Sequence, residues 1–260
     1  MAAQQRIRYC FYLLIFILVT LTSIQARANN GIQQTQSKIK PNLTLATSEA
    51  PPYMIKDPVG GLDIDTVKAA MEHQGYQINV IFVSLHRAMA ELKAGRADIS
   101  VPSFTVTANE TGLFPGDPHI LYRPTVFTLQ KDNIRLKTLD DLSNYRISTF
   151  QGASGYFGPD FAKVINRAPG YHEHPSMERL IDMLMSERTD LVILDYWIFD
   201  YYYRKAHHDK PFTAHGDIFP RVPAIPVFNN EAVRNDYNEG LKAIQANGVY
   251  KRIMQRFGHD

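Results

Sequence analysis

One cysteine, Cys10, stands among the 260 residues, and it lies inside an apolar amino-terminal run. Without that run the chain carries no thiol, which excludes disulfides, a zinc-thiolate site and a cysteine nucleophile. No other run approaches the ~20 apolar residues that a spanning helix needs. Phosphate loops and dinucleotide fingerprints are absent too. There is no charge block or low-complexity tract past residue 40, so nothing calls for nucleic acid or an anionic membrane as partner.

The amino terminus reads as a targeting segment. Arg6 and Arg8 precede an apolar stretch at residues 9–21, and Ala26-Arg27-Ala28 supplies small residues at the A-x-A positions. A positive region, a short apolar core and a small-residue site together form a secretory signal. Cleavage after Ala28 is expected, with residues 29–40, polar and Gln-rich, as a flexible linker. Cys10 lies within the apolar core, not at its end where a lipid would attach. The segment holds three arginines and no acids, so its removal takes the formal charge from +2 to −1. The basic pI therefore belongs to the signal. A hydrophobic fraction of 45% leaves ample material for a packed core.

What is present is a repeat. Leu92-Lys-Ala-Gly-Arg-Ala-Asp-Ile-Ser-Val101 returns as Leu184-Met-Ser-Glu-Arg-Thr-Asp-Leu-Val-Ile193. Each copy ends an amphipathic helical stretch, passes through Arg-x-Asp and enters a β-branched run, the closing half of a βαβ crossover. Two such units predict two similar α/β lobes with a ligand cleft between them.

The periodicity fills in the rest. Strands are expected at residues 43–47, 78–83, 99–101, 122–130, 145–150 and 191–194. Helices are expected at 66–74, 87–94, 177–186, 197–205, 231–246 and 248–257, with Asp63 or Asp65 capping the first. Pro51-Pro52-Tyr53 and Gly60-Gly61 are turns, and residues 220–226 are extended. The lobes are expected to comprise residues 41–128 with 224–260, and residues 129–223. Two strands then cross between them and permit hinge bending.

In this order, Pro51-Pro52-Tyr53, Gly61-Leu-Asp-Ile-Asp65, Arg96-Ala-Asp98, Asp117-Pro118, Gln151-Gly152, Arg188-Thr-Asp190, Asp195 and Asn247-Gly-Val-Tyr-Lys-Arg-Ile253 resemble family 3 of the extracellular solute-binding proteins, the polar amino-acid-binding type. The resemblance spans about residues 43–258. It implies a two-lobe periplasmic-binding-protein-like α/β fold that closes on a small polar solute, usually for an ABC permease. A signalling partner or an enzyme on the same scaffold are the alternatives. It further implies a periplasmic protein with no cofactor or metal, acting as a monomer.

By that similarity, Ser103 and Thr105 lie on the first-lobe loop that meets the ligand, and Tyr53 packs beside it. Ser154 starts a second-lobe helix, where free N–H groups favour an anion. Asp195 matches the residue that pairs with the ligand ammonium. One position departs from the family: Thr107 is followed by Ala108, Asn109 and Glu110, where the family places an arginine that forks the ligand carboxylate. Glu110 in the cleft would favour a cationic or neutral solute, or Arg87 or Arg123 would substitute; alternatively the shortened loop turns Glu110 to solvent.

Catalytic and metal signatures are weak. Gly152-Ala-Ser154-Gly155 misses G-x-S-x-G by one residue, and no triad order follows. Glu110 or Asp195 could act as acid or base only if the enzyme alternative held. His172-Glu173-His174 and His207-His208 read as solvated histidines in polar loops rather than as zinc ligands.

Overall fold

The computed structural model describes residues 40–102 and 112–258. Within them the chain folds as two five-stranded sheets, each flanked by helices, joined by a small two-stranded ribbon.

The first sheet takes β1 (Asn42–Thr47), β2 (Gln77–Phe82), β3 (Ile99–Ser100) and β4 (Phe114–Pro115) from the amino-terminal part. Between β1 and β2 lies α1 (Leu62–His73), and between β2 and β3 lies α2 (Leu85–Lys93). The chain then leaves through β5 (Ile120–Tyr122) and enters β6 (Pro124–Leu129) of the second sheet. That sheet continues with β7 (Arg146–Phe150), β8 (Gly170–His174), β9 (Leu191–Asp195) and β10 (Phe212–His215). Its helices are α3 (Ala153–Ile165), α4 (Met177–Met185) and α5 (Tyr196–Lys205). The return runs through β11 (Val222–Ala224) to β12 (Val227–Phe228) in the first sheet, then to α6 (Glu231–Ala246) and α7 (Val249–Arg256). Strands β5 and β11 pair antiparallel, so the two crossings lie side by side.

The sheets are built alike. The first has the order β2-β1-β3-β12-β4 and the second, read from its far edge, β8-β7-β9-β6-β10. In each, three parallel strands meet one antiparallel strand that arrives from the other crossing. The sequence repeat maps onto this symmetry atom by atom. Asp98 accepts the Thr44 amide at 2.8 Å, and Asp190 accepts the Arg146 amide at 2.9 Å. Thr47 Oγ1 donates to the Val101 carbonyl at 2.6 Å, and Thr149 Oγ1 donates to that of Ile193 at 2.8 Å. Each aspartate thus ties the strand that follows it to the middle strand of its parallel set, β3 to β1 and β9 to β7.

Three expectations change. Residues 122–130 are not one strand: the chain breaks at Arg123, and β6 pairs with β9 and β10 in the second sheet. Residues 124–128, expected in the first lobe, thus form part of a strand of the second sheet. All six β6 residues are buried, and only an interior position in a sheet covered on both faces satisfies such a run. The first helix starts earlier than residue 66, and neither Asp63 nor Asp65 caps it. Its first amides go instead to loop carbonyls, Leu62 to Pro52 and Asp63 to Tyr53. Finally, His172-Glu173-His174 is the edge strand β8 and not a loop.

Candidate functional site

Parallel strands place their carboxyl ends on one edge, and here both edges face the same cleft. Segments after β1, β2 and β3 supply Ser48, Tyr53, Met54, Leu85 and Pro102; segments at the ends of β7 and β9 supply Phe150, Tyr156, Phe157 and Asp195. The space between them is about 560 Å³, part of it open to solvent. Among the described lining residues, Asp195 is the sole charged one.

Tyr53 is held by its loop. Gly61 adopts φ 111°, and a Cβ built there would lie 2.4 Å from the Tyr53 carbonyl oxygen. Only glycine lets the turn close this tightly, which brings Tyr53 under the start of α1. The ring is buried and meets Tyr122 edge-on, with centroids 4.8 Å apart. Burial and the neighbouring Asp195 hold its hydroxyl well above the usual phenol range, so it remains a donor. Tyr122 in turn donates to the Asp63 carboxylate, which lies 3.1 Å from His119 Nε2, all of it buried.

Asp195 ends β9 and caps α5. Its Oδ1 accepts the Tyr53 hydroxyl at 2.9 Å and the Trp197 amide at 2.8 Å, and its Oδ2 accepts the Arg123 amide at 2.6 Å. Burial pushes its carboxyl up to about 6, opposed by these donors. Among the described residues no basic side chain pairs with it. The result is a buried carboxylate held by neutral donors, with no counter-ion among the described residues.

Around it stand Phe150, Tyr156 and Phe157, packed edge-on with centroids 4.8–5.9 Å apart. Burial and the Asp195 charge raise the Tyr156 hydroxyl above the phenol range, and both residues line the same space. A carboxylate walled by aromatic faces suits a small organic cation.

The structure therefore brings Tyr53 and Asp195 together. Ser154 is not part of the lining around Asp195, and its amide, 2.8 Å from Glu173 Oε1, is already used. Ser103, Thr105 and Glu110 lie outside the described residues. Neither proposed substitute cation reaches the cleft. Arg87 is exposed and pairs with Glu91 at 3.1 Å. Arg123 stacks on Tyr196, 4.9 Å from the ring centroid, and lines a separate recess with Arg221 and Tyr250. The aromatic helix α5 is core packing, as Phe199 stacked 3.7 Å from Phe127 shows. Sequence reasoning missed Tyr122, Tyr156, Phe157 and Glu173. The first three carried only aromaticity as a signal, while Glu173 sat in a strand too polar to read as one.

Comparison with known proteins places this fold. The chain matches the bacterial extracellular solute-binding proteins, family 3, over residues 43–260, and it belongs to that family. Among curated relatives, the probable amino-acid-binding protein YxeM of Bacillus subtilis (strain 168) is 19% identical over 257 residues, covering 94% of this chain and 93% of its own. The arginine-binding extracellular protein ArtP of the same organism is also 19% identical, covering 95% and 97%. Among solved structures, an ancestral arginine-binding protein bound to arginine superposes with a TM-score of 0.69 at 18% identity, covering 85% of this chain and 99% of its own.

Proposed function

We propose that this protein captures a small amine-bearing solute, amino-acid-like or cationic, between its two sheets and passes it to an inner-membrane ABC permease. The observation that carries this reading is the buried Asp195 carboxylate, without a basic partner among the described residues, in an aromatic cleft. An ammonium there would satisfy a charge that the protein leaves uncompensated, and truncating one member of such a pair costs on the order of 3–5 kcal/mol. The family and the amino-acid-binding and arginine-binding names of the relatives agree with it.

Binding proceeds by closure. Tyr53 comes from the first sheet's loop and Asp195 from the second sheet, so their hydrogen bond forms only when the cleft is shut. A solute that contacts both sides shifts the open–closed equilibrium toward the shut form. The reading is capture and release without chemistry. It takes the mature protein as a periplasmic monomer that has lost residues 1–28, with Ser103, Thr105 and Glu110 near the ligand as the family resemblance implies.

Isothermal calorimetry of a panel of amino acids and amines against wild type and Asp195→Asn tests the reading. Asn preserves the acceptor oxygen and removes the charge. A loss of about a hundredfold or more in affinity is expected. Equal affinity in the two proteins would reject Asp195 as the ammonium site.

A further inference from the structure

A zwitterionic ligand needs two opposite sites, and the described residues show only one. The place where an anion would sit, the amides that open α3, is filled from within. Glu173 reaches across from edge strand β8, its Oε2 accepting the Gly152 amide at 2.7 Å and its Oε1 the Ser154 amide at 2.8 Å. The Tyr171 hydroxyl adds a third bond, to Oε1, at 2.7 Å. Both oxygens and both amides are thereby used, in a bidentate arrangement that an external carboxylate would have to displace. Burial works against the Glu173 charge, yet the Tyr171 hydroxyl and the two amides hold its carboxyl below the ordinary glutamate range.

The described residues lining the space around Asp195 offer no cationic substitute. The lining holds no Lys, Arg or His. Residues 103–111, Ser-Phe-Thr-Val-Thr-Ala-Asn-Glu-Thr, contain no basic residue either. The outer continuation of the cleft, between α2 and the start of α3, has Lys93 and His86, and Lys93 already has a partner of its own. The Tyr53 hydroxyl and the Arg123 amide are given to Asp195. A ligand carboxylate at the start of α3 would meet Glu173 in place of free amides, and beside the described lining it would meet Asp195.

We propose that the cleft takes a small organic amine that lacks a carboxylate, and that Glu173 is the residue that sets this specificity by occupying the Gly152 and Ser154 amides. The inference rests on the reading of Asp195 as the ammonium site. It adds that the second charge of an amino acid is excluded rather than bound.

Two measurements test it. In 15N-labelled protein titrated with acetate, the Gly152 and Ser154 amide resonances should stay fixed in wild type and move in Glu173→Ala. If acetate moves them equally in both, the occupancy is wrong. Should Glu173→Ala fail to fold, a pH titration of wild type serves: both amides should report one protonation below the usual glutamate range, and amides that report none would overturn the proposal.

Calorimetry with matched pairs gives the ligand class: arginine against agmatine, and phenylalanine against phenethylamine, each pair differing by one carboxylate. Wild type should prefer the amine by tenfold or more, and Glu173→Ala should narrow that ratio about tenfold. Wild type that prefers the amino acid, amino-acid binding abolished by Lys93→Met, or no binding of either amine would each sink the inference. Asp195→Asn separates it from the site reading. If amine binding vanishes there while the Glu173→Ala ratio stays put, this inference alone fails. If amine binding survives Asp195→Asn, the site reading fails.

Discussion

The Tyr53 hydroxyl donates to Asp195 Oδ1 at 2.9 Å, joining residues 142 apart in the chain, one on the loop after β1 and the other at the end of β9. This bond spans the cleft and favours the charged form of the Asp195 carboxylate. Tyr53→Phe removes the donor and keeps the ring. A hydrogen bond to a charged group contributes about 1.5–3 kcal/mol. The shut form should therefore lose population, and small-angle X-ray scattering should show a larger radius of gyration without ligand than wild type shows. Scattering curves that coincide would mean the bond does not hold the cleft closed.

The amino terminus leads to a separate expectation. Positive charges at Arg6 and Arg8, the apolar residues 9–21 and Ala26-Arg27-Ala28 predict export and cleavage after Ala28. Intact-mass analysis of the periplasmic fraction from an expressing cell should give a chain that begins at Asn29. A chain retaining Met1 in the membrane pellet would contradict it.

Most of the architecture was legible because it rests on local signals. The Arg-x-Asp repeat announced two similar units, and Asp98 and Asp190 turned out to make the same strand-closing bond. Asp195 could be placed because it ends a fully apolar strand. Glu173 could not. Gly170–His174 is an edge strand whose side chains are mostly half-buried and polar, so it lacks the apolar alternation by which strands are read. Nor could the sequence say where Arg87 and Arg123 point, since long cations travel several ångströms on flexible stems. The break between β5 and β6 was hidden for a different reason: residues 125–129 are β-prone, and Pro124, which stands at the break, is also tolerated as the first residue of a strand.

Two glycines separate stability from binding. At Gly61 a side chain meets the Tyr53 carbonyl at 2.4 Å and must also adopt φ 111°. At Gly240 a Cβ would lie 2.1 Å from the Ala70 carbonyl oxygen, forcing α6 off α1, far from the cleft. Strain of this kind costs about 1–3 kcal/mol, or a few degrees in Tm per kcal/mol for a chain of this size. Both Gly61→Ala and Gly240→Ala should lower Tm. Only Gly61→Ala should also weaken ligand binding, because it displaces the loop that carries Tyr53. Calorimetry at a temperature where both variants are folded distinguishes them, and equal binding by the two would detach Gly61 from the site.

The pH behaviour of Asp195 follows from its burial. Its carboxyl titrates at about 6 in the folded protein against an ordinary 3.8, because desolvation outweighs the amides and the Tyr53 hydroxyl that favour the charge. Between those values the folded chain holds a proton that the unfolded chain has released. This group's contribution to stability therefore falls as pH rises through that window and is fully lost above the folded value. An ammonium bound against Asp195 favours the ionised form and lowers its pKa. Near pH 5 a bound amine should consequently expel the proton, while at pH 7.5 none is left to release. Calorimetry at pH 5 in buffers of different ionisation enthalpy should show a binding heat that varies with the buffer, reporting release of up to one proton per ligand. At pH 7.5 the heat should not depend on the buffer, and affinity should be higher than at pH 5. Asp195→Asn should abolish the buffer dependence at pH 5. A buffer dependence that persists in Asp195→Asn would move the titrating group, and with it the ammonium site, away from Asp195.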